Sequence, residues 1–237
     1  MITVETLGSS SSGNCYRLLA GGRSLLMECG LAWSTIREKL NFETTRLDGV
    51  LISHEHGDHG KAAKKAAGSA IKIFASTGTL EALGLEGHHR STALRDKKPV
   101  VINNHWKIVP FKTIHDCQEP LGFQVDEILT GDRLVFITDT AYCTYTFSGI
   151  NILMIEANYC ESILASNVEG GSIDRSRAIR TRENHLSIER VIEFLGSNDL
   201  SRCREIRLLH LSSSNSHAAD FKRQVMMATG IPTYIEG

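Results

Sequence analysis

No cysteine in this chain belongs to a CxxC pair; the six stand apart at Cys15, Cys29, Cys117, Cys143, Cys160 and Cys203. That scatter excludes a zinc ribbon and argues against a disulfide framework, so reduced and mostly buried thiols are expected. No stretch approaches the ~18 apolar residues of a membrane span, and residues 1–5 (MITVE) do not open a basic start followed by an apolar core. The expected location is the cytoplasm, without membrane contact. Aromatic residues make up only 6% of the chain, which leaves little to stack single-stranded bases upon and argues against sequence-specific base reading. A formal net charge of −1 supplies no long-range attraction, so a polyanionic partner would need a local basic patch. Internal repeats, linkers rich in proline or serine and low-complexity tails are also lacking. For a chain of 237 residues this predicts one domain, 1–237.

What is present is a succession of short apolar runs bounded by turns. Residues 2–7, 15–19 and 24–28, separated by a Ser/Gly/Asn cluster at 8–14 and by Gly21-Gly22, predict an antiparallel meander. Further strands are expected over 47–53, 71–75, 100–103, 106–113, 122–127, 133–138, 152–156, 205–211 and 233–236. Helices are expected over 33–40, 59–67, 77–83, 187–195 and 217–228, with an arginine-rich connector before the fourth. Two runs of strands with helices between and after them predict an α/β fold, an αββα sandwich of two packed mixed sheets flanked by helices.

The densest chemistry is Ser53-His54-Glu55-His56-Gly57-Asp58-His59-Gly60, which crowds three imidazoles and two carboxylates into six residues at the end of an apolar run. Side chains two apart on extended backbone point the same way, so His54 and His56 can hold one ion, while a turn at Gly57 sends Asp58 and His59 toward a second. Imidazole and carboxylate without thiolate suit zinc, manganese or iron. Isolated candidates follow at the ends of later apolar runs: His115, Asp139 and His210. Single histidines after strands are more often structural, so on their own these are weak candidates.

The HxHxDH pattern at 54–59, followed by His115, Asp139 and His210, resembles the metallo-β-lactamase superfamily. The resemblance implies that His54, His56 and His115 bind a first metal, that Asp58, His59 and His210 bind a second, and that Asp139 bridges them. The stretches LGSSSSGN (7–14), HDCQEPLGF (115–123), ITDT (137–140), Glu156-Ala157-Asn158, NHLS (184–187) and LHLSSSN (209–215) resemble its YycJ (WalJ) branch, among the nuclease and phosphodiesterase members. The chain departs from the branch at Glu28, where aspartate is common, and at Tyr159-Cys160, where a His-Asp pair is common.

The implied cofactor is a pair of divalent ions, Zn²⁺ or Mn²⁺, sharing a hydroxide that attacks a phosphodiester. The expected activity is that of a phosphodiesterase of nuclease type, a DNA exonuclease by the branch resemblance. The alternatives are hydrolysis of cyclic nucleotides, or of a lactone, thioester or β-lactam. Asp58 is a candidate ligand, base or both, and Glu28 a candidate partner orienting a metal-binding histidine. His185 is a candidate phosphate contact or proton donor, the alternative being a purely structural role at a helix start. Arg177 and Arg180 are candidate phosphate contacts in the connector, and a solvated segment is the bland alternative. Ser212 and Asn215 are candidates for touching substrate, or else for capping a helix. Residues 9–14 either present backbone N–H groups to an anion or form a plain hairpin turn. His88, His89, His105 and His217 fit no ligand position. A homo-oligomer stays open.

Overall fold

A computed structural model of the chain describes residues 1–236; Gly237, the end of the expected domain, lies outside the described residues. The chain forms two compact units, residues 1–112 with 117–132, and residues 113–116 with 133 onward.

The first unit opens with the expected meander, β1 (Thr3–Gly8), β2 (Cys15–Ala20) and β3 (Arg23–Met27), paired antiparallel. Parallel strands β4 (Leu47–Leu51), β5 (Ile73–Ser76) and β6 (Ser91–Leu94) continue it into a six-stranded sheet in sequence order. β4 and β5 are almost wholly buried, as parallel strands covered by helices must be. Their cover is α1 (Trp33–Lys39), α3 (Ala63–Gly68) and α4 (Thr77–Ala82), with α2 (Gly57–Gly60) a single turn before α3. Ala63, Ala66 and Ala67 lie at helical spacing and join Ile36, Val50, Ile52, Ile73 and Leu80 in one core. The unit closes with an antiparallel set, β7 (Val100–Ile102), β8 (Trp106–Lys112) and β9 (Leu121–Glu127).

One helix is expected over 59–67, but the chain breaks it into α2 and α3. The Asp58 carbonyl accepts from Asn14 N at 2.7 Å, and Ala62 N donates to Cys29 O at 2.9 Å. The bond from residue 62 to residue 58 that would carry a helix through is thereby replaced on both sides.

The second unit contains four parallel strands in consecutive register, β10 (Arg133–Ile137), β11 (Ile152–Glu156), β12 (Glu205–Leu209) and β13 (Thr233–Ile235). Between them lie α5 (Glu161–Glu169), α6 (Arg175–Asn184), α7 (Ile188–Gly196) and α8 (Ala218–Thr229). α7 is set by Ser187, whose side chain accepts from Arg190 N, and by the buried face Ile188, Val191, Phe194 and Leu195. α8 ends at Gly230 in the left-handed conformation (φ 71°).

The arginine-rich segment read as a connector is the helix α6, a correction with a local cause. Asp174 caps it by accepting from Arg177 N at 2.8 Å, and only Ala178 and Asn184 of its ten residues are buried, so no apolar stripe betrays it. β6 and α5 were likewise not expected. All six cysteines are free, yet only Cys15 and Cys29 are fully buried; the other four are half-buried. Among the described residues no helix is long and apolar enough to cross a membrane.

Candidate metal centre

In the first unit the HxHxDH motif begins where β4 runs out. Ile52 N still donates to Phe74 O at 2.9 Å, after which Ser53 N turns to the Glu28 carboxylate, 3.3 Å from each oxygen. Ser53 Oγ lies 2.9 Å from His54 Nδ1, an orienting contact that directs the other ring nitrogen elsewhere. The His54 ring stands 4.7 Å from His56 and 4.2 Å from His59, centroid to centroid, so three imidazoles form one group. Asp58 joins them, its Oδ2 3.3 Å from His59 Nε2.

The motif is pinned from behind. Asn14 donates to the Asp58 carbonyl from its backbone N at 2.7 Å and from its amide at 3.3 Å, while its own carbonyl accepts from Gly30 N at 2.9 Å. A Cβ on Gly30 would stand 1.7 Å from the Asp58 carbonyl oxygen, so only glycine permits this approach. Residues 9–14 thus form the turn between β1 and β2, with Gly13 N donating to Ser10 O. Glu28 is fully buried in the left-handed conformation (φ 64°), and its Oε1 lies 3.7 Å from His59 Nδ1, beyond hydrogen-bond reach.

In the second unit the parallel register does the positioning. Ile137 pairs with Ile155 and Glu156 with Leu209, so the ends of β10, β11 and β12 present Asp139, Glu156 and His210 side by side. Asp139 (φ 37°) and His210 (φ 52°) both turn off their strands in the left-handed region, a strained backbone typical of functional strand tips. Glu156 is wholly buried and accepts from four donors: Thr140 N (3.3 Å), Leu186 N (3.1 Å), His185 Nδ1 (2.6 Å) and His210 Nδ1 (3.1 Å). His210 Nδ1 also lies 3.0 Å from Asp139 Oδ1. Ligand atoms of Asp139, Glu156, His185 and His210 all fall within 4.8 Å of one another.

His115 stands in the short segment following β8. Its Nδ1 donates to Asn184 O at 3.0 Å, leaving Nε2 as the lone-pair nitrogen, 3.6 Å from Asp139 Oδ2. Burial holds the His115 imidazole below its usual pKa, against the pull of Asp139, which favours the neutral form that a metal ligand requires. His185 is shifted the other way. Burial lowers it, but the charge and hydrogen bond of Glu156 outweigh burial and hold it above the usual histidine value. Glu156 in turn would be raised by burial and is held low chiefly by His185.

The remaining candidates take other positions. Arg180 pairs with Asp116 (Nη2 to Oδ2, 2.8 Å) beside His115, and Arg177 is exposed on α6. Ser212 Oγ accepts from Asn215 N at 3.2 Å, and the Asn215 side chain accepts from Asn167 at 2.9 Å, so both hold the turn after β12. His217, not these two, caps α8. Glu156 and Asn184 stand within the resembling stretches, but sequence reasoning gave neither a role: Glu156 closes the otherwise apolar ILMIE, and Asn184 fixes His115 and Asp116 together (Oδ1 to Asp116 N, 2.7 Å). Buried imidazoles and carboxylates without thiolate are a donor set fit for zinc, manganese or iron.

Residues 23–202 match the model of the beta-lactamase superfamily domain, and the chain belongs to that family. It is a metal-dependent hydrolase of the αββα class, with two mixed sheets flanked by helices. It is 28% identical over 228 residues to Exodeoxyribonuclease WalJ of Streptococcus pneumoniae, covering 89% of this chain and 81% of that protein. Against Exodeoxyribonuclease YycJ of Bacillus anthracis the identity is 24% over 226 residues, covering 90% and 83%. The fold is similar to that of the metallo-beta-lactamase fold protein YhfI from Bacillus subtilis, with a TM-score of 0.74 at 16% identity over 99% of this chain and 95% of that one.

Proposed function

We propose that the protein is a phosphodiesterase of nuclease type that shortens DNA from an end, in the cytoplasm, with two divalent ions (Zn²⁺ or Mn²⁺) held by the motif residues and the strand-tip residues together. His54, His56 and His115 would hold one ion, Asp58, His59 and His210 the other, with Asp139 common to both. Support comes from the family, from the two exodeoxyribonuclease relatives that this chain parallels over most of its length, and from six free cysteines, which suit a reducing compartment. The ions, when bound, neutralise charge on the phosphate oxygens and acidify the attacking water.

The observation that carries the reading is the Glu156–His185 pair. Hydrolysis of a nucleic-acid phosphodiester expels an alkoxide, a poor leaving group that needs a proton. His185 Nδ1 is committed to Glu156 at 2.6 Å, which favours the charged ring and leaves Nε2 to donate to that oxygen. Asp58 would hold an ion and could accept the proton of the attacking water. Arg177 follows the strand by a phosphate contact, whereas Arg180 works through Asp116, to which it is already paired.

The test is a substrate panel on metal-loaded protein: end-labelled duplex and single-stranded DNA, RNA, cyclic mononucleotides, a generic phosphodiester and a lactone. Progressive shortening of DNA is expected. DNA left intact while a cyclic nucleotide is rapidly opened would refute the nuclease reading.

A further inference from the structure

The first unit contains a cavity of about 250 Å³ bordered by Lys72, Phe74, His89, Arg90, Thr92 and the strand β7. None of its lining residues is acidic. It lies away from the motif at 54–59 in the same unit. Val50 pairs with Ile73, so Lys72 is level with Gly49, five residues before His54, or roughly 16 Å along the strand.

Two features distinguish this place from an ordinary basic surface. Arg90 Nε is buried without a hydrogen-bond partner among the described residues, so a guanidinium donor has been taken out of water with no acceptor supplied. Such groups are rare, because their desolvation goes uncompensated unless a ligand provides the acceptor. The nearby carboxylate, Asp48, is already engaged: it accepts from Arg23 Nε (2.9 Å), Trp106 Nε1 (2.8 Å) and Asn103 Nδ2 (2.6 Å). The backbone at Arg90 is held in place by its N–H, which donates to His88 Nδ1 at 3.2 Å, while the His88 and His89 rings stack at 4.5 Å.

We propose that this cavity is a second anion site, taking the phosphate group of a phosphate ester, with Arg90, Lys72 and His89 as its cationic and hydrogen-bonding contacts. A planar fork and a point charge lining one volume suit a tetrahedral phosphate oxyanion. The apolar wall of Phe74 and β7 accommodates the organic part of the ester. The phosphate belongs either to a free nucleotide or to the backbone of a bound strand.

The inference does not rest on the catalytic reading, because its test is read at Arg90 and not in turnover. In ¹⁵N-labelled, metal-loaded protein the Arg90 Nε–H signal is assigned by its disappearance in Arg90→Lys. Inorganic phosphate, dAMP and a phosphorothioate oligothymidylate are then titrated in separate samples. The signal is expected to move saturably, and Lys72→Ala to weaken the apparent affinity about tenfold. Movement with dAMP but not with the oligonucleotide assigns the site to a free ester, and tighter saturation by the oligonucleotide assigns it to a strand. The proposal is overturned if no probe moves the signal, if sodium chloride at matched ionic strength moves it equally, or if Lys72→Ala leaves the titration unchanged.

Discussion

Replacing Glu156 with glutamine removes one negative charge while preserving shape, and the surroundings of that carboxylate determine the outcome. Four donors converge on it, two backbone N–H groups and two imidazole nitrogens. A glutamine can accept through one oxygen only, and its amide turns N–H toward at least one of these donors. If His185 is the proton donor as proposed, losing one charge-assisted hydrogen bond to it is worth about 2–3 kcal/mol, which corresponds to a fall in kcat of roughly 30- to 150-fold. The pH profile carries the sharper signature. His185 lies above its ordinary value of 6.5 because Glu156 outweighs the effect of burial. Proton donation from His185 therefore gives an activity that is lost as pH rises through that raised value. In Glu156→Gln burial remains and the largest counter-charge is gone, so the alkaline limb moves to lower pH. The assay is kcat against pH on a generic phosphodiester, with bound metal measured by elemental analysis at each pH. An unshifted alkaline limb with full metal content would refute the argument that Glu156 sets the protonation of His185.

Further outcomes follow from the same structure. His185→Ala should lower turnover by about 10²-fold or more with metal content unchanged, and unaltered rates would remove it from the reaction. Asp139→Asn, or chelation of the wild type, should abolish activity and reduce bound metal; full metal content in the variant would contradict its place as a shared ligand. Gly30→Ala should destabilise by about 3 kcal/mol, a drop in Tm of roughly 6–12 °C by scanning calorimetry, because the new methyl meets backbone and not a flexible side chain. Arg177→Ala should lower the salt dependence of DNA binding by about one unit of log–log slope while sparing a small phosphodiester; equal losses on both substrates would rule out strand contact. For Arg180→Ala, a smaller change in slope is expected, since its charge is already paired with Asp116.

Elements with a strong period were legible from residues alone. The alternation of apolar runs and turns located the meander, the buried strands β4, β10 and β11 and the amphipathic helix α7, because burial of one face or both leaves a period that survives in the chain. Weakly patterned elements were not legible. α6 is polar on nearly every side, β6 buries only Leu94 of its four residues, and α5 buries only Leu164. The break between α2 and α3 belongs to the same class, since the competing partners Asn14 and Cys29 are remote in sequence.

At the reactive centre the division is similar. Spacing and residue type singled out His54, His56, Asp58 and His59, because a compact motif of metal donors announces itself, while His115, Asp139 and His210 became candidates through the family resemblance. Tertiary structure alone decided what each ring nitrogen does. Ser53 takes His54 Nδ1, Asn184 takes His115 Nδ1, and one buried carboxylate, Glu156, takes both His185 and His210. These partners lie from one to 69 residues apart along the chain. A hydrogen bond has a range of a few ångströms in space and none in sequence, so only the folded chain could reveal which acceptor each imidazole would find.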